Sequence, residues 1–175
     1  MRWIPFFILL YLATALQAAH LGQLSAAGYF HIEYLPLLAI FYAMFAATDS
    51  APLACFWCGL VYDLTSSGPL GLQAILLAMI GLGIIPIRKH IFRANPVSQA
   101  VLTCLGVLLF MLARSLVEWL VFPMAGGAWG RIGLATQAGL IASSTLYTAL
   151  VAPGLFRLLF LLGSLLGFET RLRRV

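Results

Sequence analysis

The chain is one apolar run after another, each ended by a charge, a proline or a glycine-rich turn. A helix needs about 20 apolar residues to cross about 30 Å of hydrocarbon. The runs cover residues 3–19, 34–48, 52–66, 70–87, 97–122 and 132–153, and a further apolar piece follows at 155–168. The breaks have local causes. Asp49-Ser50-Ala51-Pro52 sets a charge and a proline between the second and third runs. Ser66-Ser67-Gly68-Pro69 separates the third from the fourth. A residue before proline is steered away from the helical region, so both stretches read as turns. Only 9% of the residues are charged, against about 25% in an ordinary soluble domain. That excludes a water-soluble globule, and the high hydrophobicity excludes disorder. The expected fold is an all-α integral membrane protein with six transmembrane helices in a single domain spanning residues 1–175.

Charge placement gives the orientation. Seven of the ten basic residues (Arg2, Arg88, Lys89, Arg93, Arg171, Arg173 and Arg174) fall on one side when the runs are threaded as six spans. The loops on the other side hold only Arg131. Cytoplasmic loops carry the excess of Lys and Arg, so both termini are expected in the cytoplasm. The net charge of +5 is then an orientation signal and not a nucleic-acid footprint. A cleaved signal peptide is the rival reading of the first run, which has Arg2 before it and an alanine-rich end. The immediate succession of further runs favours an uncleaved helix.

Two regions stay open. The second and third runs, at 34–48 and 52–66, are short for full spans; they tilt, thin the bilayer, or form a re-entrant hairpin. The proline at 153 is expected to break the last run. After it, 155–168 is either an interfacial helix ending in Arg171, Arg173 and Arg174, or a continuation of the span with Arg157 snorkelling to the interface.

Polar residues inside apolar runs are costly and few. Arg114 and Glu118 stand four apart, on one helix face, where they can neutralise each other or present a polar contact to a partner. Asp63 precedes the Ser66–Gly71 turn and is expected to hydrogen-bond that turn's backbone, the alternative being a ligand or partner contact. Cys55 and Cys58 form a CxxC inside an apolar run with no second pair, and His20, His31 and His90 lack metal spacing. No phosphate loop, nucleophile elbow or carboxylate pair is present, so neither an enzyme nor a cofactor is expected.

The stretch 59–74, GLVYDLTSSGPLGLQA, resembles the signature of the bacterial rod-shape-determining MreD family. The matching positions are Gly59, Asp63, Leu64, Ser66, Gly68, Pro69, Leu70, Gly71 and Gln73; histidine is common in the family where this chain has Gln73. The resemblance implies an inner-membrane protein without enzymatic activity. It implies a partner of the MreC type, a single-span periplasmic protein, with actin-like MreB and a lateral-wall peptidoglycan synthase around them. It also implies a fold similar to the substrate-binding subunits of energy-coupling-factor transporters. That similarity supplies the rival function, a vitamin-type transport subunit. The candidate partner or ligand contacts are Asp63, Gly68, Pro69, Gly71, Gln73, Arg114 and Glu118.

Overall fold

A computed structural model of the chain describes residues 3–24, 32–66, 70–88, 96–121 and 134–165. The described residues form six α-helices and no strand. They are α1 (Trp3–Leu24), α2 (Tyr34–Phe45), α3 (Ala51–Thr65), α4 (Leu72–Ile87), α5 (Pro96–Val121) and α6 (Leu134–Leu165).

Helix α2 is the centre of the bundle. It is apolar all round, and a helix of that kind has no face to give to water. Ten of its 12 residues, Leu35 to Met44, are buried. Helices α1, α3, α4, α5 and α6 all pack on it, and α3 pairs most extensively with α4, α5 with α6. Small residues permit these close approaches. A side chain at Gly106 would strike Ile40 on α2, and one at Gly81 would strike the Cys55 sulfur. Rings fill the rest of one end. Phe6 meets Tyr42 edge-on at 5.0 Å, and Phe156 lies 5.3 Å from Phe41.

The helices differ greatly in length. At 1.5 Å per residue, α2, α3 and α4 are about 18, about 22 and about 24 Å long, while α5 and α6 reach about 39 and about 48 Å. Among the described residues, two helices are long and apolar enough to cross a membrane by themselves, within Pro96–Val117 and Ala138–Leu159. Their outward faces are greasy: Val97, Val101, Leu105, Leu109, Leu112, Leu116 and Leu120 form an exposed stripe along α5 at helical spacing.

Pro153 does not break the last helix, as the second of the two open readings has it. Helix α6 runs unbroken from Leu134 to Leu165 with the proline inside it. An internal proline loses one hydrogen bond and costs about 3 kcal/mol. Packing on both sides offsets that cost: Ala152 and Phe156 are fully buried, with Phe156 wedged against Phe41 and Phe45.

Arg88 does more than mark a helix end. It is only 6% exposed. Its Nη1 donates to the carbonyl oxygens of Ala43 (2.9 Å) and Ala46 (2.6 Å), and its Nη2 to Thr48 Oγ1 (2.8 Å). The last carbonyls of a helix lack intrahelical donors and carry the negative end of its dipole. A guanidinium from the end of α4 therefore closes the C-terminus of α2.

Candidate functional site

The opposite end of the bundle holds the polar residues, arranged around the last turn of α3. Consecutive residues there face opposite ways. Asp63 turns toward α4, and Tyr62 toward α2 and α5.

Asp63 is 1% exposed and completes a neighbouring helix. Its Oδ2 accepts from the backbone N–H groups of Gly71 (3.0 Å) and Ala74 (3.1 Å), and its Oδ1 from that of Gln73 (3.1 Å). The first N–H groups of a helix have no internal partners, and a carboxylate there also meets the positive end of the dipole. Helix α4 has no side-chain cap of its own, because glycine stands at its N-cap. Asp63 supplies the cap from the adjacent helix. The turn is shaped to allow it. Gly71 has φ +93°, in the left-handed region that favours glycine. Gly59 lies one helical turn before Asp63, and a Cβ placed there would sit 2.5 Å from the Gln73 carbonyl oxygen and closer still to Ala74 Cα. The two backbones thus touch where the carboxylate crosses. Gln73 Nε2 donates to Ser66 Oγ at 3.2 Å, while its Oε1 is buried without a hydrogen-bond partner.

The second network runs through Tyr62. Its hydroxyl donates to Glu33 Oε1 (3.3 Å) and accepts from Arg114 Nη1 (2.7 Å), whose guanidinium carbon lies 5.5 Å from the tyrosine ring centroid. Glu33, 2% exposed, also accepts from Gln17 Nε2 at 3.1 Å. Gln17 Oε1 accepts from the Leu35 N–H at 3.1 Å, and the Glu33 N–H donates to Thr148 Oγ1 at 3.2 Å. Five helices meet here. One phenol bridges a buried carboxylate and a half-buried guanidinium, so the Glu33 charge is hydrogen-bonded, as burial requires. Removing that hydroxyl separates them. Tyr62→Phe is expected to destabilise the purified protein by about 2 kcal/mol, since hydrogen bonds to charged groups contribute about 1.5–3 kcal/mol. The check is thermal unfolding in detergent; an unchanged Tm would show that the bridge holds nothing together.

Of the residues singled out from sequence, the structure brings Asp63, Gly71 and Gln73 into one cradle. Arg114 joins the adjacent network through Tyr62. Gly68, Pro69 and the side chain of Glu118 lie outside the described residues, and so does the expected pairing of Arg114 with Glu118. Sequence reasoning missed Glu33, Gln17, Tyr62 and Thr148. The one local signal was a carboxylate directly before an apolar run. The CxxC cysteines are buried, and Cys55 Sγ donates to the Ala39 carbonyl at 3.3 Å. Among the described residues no group of three or more His, Cys, Asp or Glu is placed to hold a metal.

Both buried carboxylates thus hold helices together: Asp63 caps the start of α4, and Glu33, just before α2, accepts from α1 and α3. Comparison with curated proteins finds no match, and comparison with solved structures finds none either. The family model for rod shape-determining protein MreD matches residues 1–160. With nearly the whole chain covered, and with Gly59 and Asp63 of the signature joining α3 to the start of α4, this membrane protein belongs to the MreD family.

Proposed function

We infer that the protein is a non-enzymatic scaffold of the cell-elongation complex in the bacterial inner membrane. It crosses the membrane six times with both termini in the cytoplasm. It binds an MreC-like single-span protein and through it supports actin-like MreB and a lateral-wall peptidoglycan synthase. Family membership over residues 1–160 carries this reading. The chemistry of the bundle supports it, because its buried carboxylates serve to join helices. The candidate partner contacts are Asp63, Gly68, Pro69, Gly71, Gln73, Arg114 and Glu118.

The rival is a transport subunit with the fold of the energy-coupling-factor substrate-binding proteins. Its ligand would fall among Gln17, Glu33, Tyr62 and Arg114, but these side chains already satisfy one another. Depletion separates the two readings. Rod-shaped cells are expected to round up as the protein is lost, and the tagged protein should co-purify with a single-span periplasmic protein. Cells that remain rods without it, in the absence of a paralogue, would sink the scaffold reading. A small molecule retained through purification would favour the rival.

A further inference from the structure

Helix α3 ends in polar residues on both sides. At one end, the Ser50 and Ala51 N–H groups donate to the Ala47 carbonyl, and the Asp49 carboxylate is exposed. At the other, the Ser66 N–H donates to Tyr62 O, Thr65 is exposed, and Asp63 binds the Gly71 N–H. From Asp49 to Thr65 the helical rise is at most about 24 Å. The neighbouring α4 is closed as tightly, by the Asp63 cap at one end and by Arg88, anchored on α2, at the other. Between these ends both helices present large apolar side chains outward: Leu53, Phe56 and Leu64 on α3, and Ile75, Met79 and Leu82 on α4. Leu70, in the turn itself, is 72% exposed. A hydrocarbon core of about 30 Å is thicker than this face, and tilting either helix only lowers its height. Across the bundle, α5 and α6 are long enough for the full thickness.

We propose that the α3–α4 face is a lipid-contact surface fitted to a locally thinned phospholipid bilayer, about 5 Å or more thinner than the membrane around α5 and α6. The exposed polar residues Asp49 and Thr65 at the ends of α3 need water or headgroups, and the exposed apolar side chains between them need acyl chains. Both needs are met only if the two headgroup planes draw together along this side. Longer chains must compress to fit, at a fraction of a kcal/mol for each Å. The protein is thereby asymmetric toward lipid, with one thin flank and one of ordinary thickness. This inference concerns the bundle's fit to lipid and stands whether or not the scaffold reading holds.

Trp57 reports on the thin flank. It is half-buried near the middle of α3, with its ring against Phe7 of α1. The full chain is reconstituted in phosphatidylcholine vesicles whose acyl chains run from about 14 to about 22 carbons. Brominated lipid competes in each, and quenching of Trp57 is taken as the difference between the wild type and Trp57→Phe. The expected result is a relative lipid affinity about three- to tenfold higher for the shortest chains than for the longest, falling steadily as chains lengthen. Thermal unfolding of the unaltered chain in the same vesicles should give its highest Tm in the thin bilayers, and it decides the matter if Trp57→Phe fails to fold. A flat profile, or a maximum at about 18 carbons or beyond, overturns the proposal. So does Trp57 that no lipid quenches at any chain length.

Discussion

Replacing Gly59 by leucine is expected to abolish accumulation of the folded protein. The obstacle is backbone, not a side chain that can swing away. Even the first carbon of a side chain at position 59 meets the Gln73 carbonyl oxygen at 2.5 Å and the Ala74 N at 2.8 Å. Relief requires α3 and α4 to part, and parting withdraws Asp63 from the three N–H groups that it serves. Overpacking of a core costs about 1–3 kcal/mol when side chains can adjust. Here the rigid partner and the lost cap push the cost past about 3 kcal/mol, a large share of the stability of a domain of this size. Gly59→Ala should be damaged as well, with a lower Tm and reduced membrane accumulation. Gly83 is the control: a Cβ there meets nothing within 4 Å, so Gly83→Ala should be near neutral. Equal behaviour of the two alanine variants, by Tm in detergent and by immunoblot of membranes, would refute the close approach.

Asp63→Ala is the second severe change, and its conservative partner makes the reason testable. Alanine leaves the N–H groups of Gly71, Gln73 and Ala74 facing an apolar neighbour. An unsatisfied buried group costs about 1–3 kcal/mol, and three of them share this loss. Asparagine is a good N-cap acceptor and fits the same space. It keeps one oxygen, and so part of the cap. The expected order of Tm is wild type, then Asp63→Asn, then Asp63→Ala well below. In cells dependent on the protein, shape should follow the same order. If Asp63→Asn proves as damaging as Asp63→Ala while remaining folded, the charge itself is needed and the residue is more than a cap.

What could be read from the sequence was set by how far apart the interacting residues lie along the chain. The cradle is compact in sequence: Asp63 finds its partners 8 to 11 residues away. A glycine, an acid and a Ser-Gly-Pro turn therefore announced a turn-capping role before any coordinates. The Tyr62 network is dispersed. Glu33 reaches Gln17 across 16 residues and Tyr62 across 29, Arg114 reaches Tyr62 across 52, and Thr148 reaches the Glu33 N–H across 115. Beyond its place directly before an apolar run, nothing local tells Glu33 from an acid in a solvated loop. Arg88 shows a partial success. Its place at a helix end was legible, but its burial against the α2 carbonyls was not, since α2 ends some 40 residues earlier. At Pro153 a break and a continuation both stayed open, because the local preference to break a helix is set against packing by distant Phe41 and Phe45 that no local pattern shows.

The cap that α3 lends to α4 bears on how the chain enters the membrane. Asp63 at the end of α3 has no compensation until the first turn of α4 exists beside it. A carboxylate taken out of water without a partner is costly. The start of α4 is equally incomplete alone, with glycine at its N-cap and no side chain of its own to bind its N–H groups. Each helix lacks what the other holds. They are therefore suited to leave the insertion machinery together, as a closed hairpin, with the 59–74 signature acting as the clasp that makes one membrane-ready unit of two short segments.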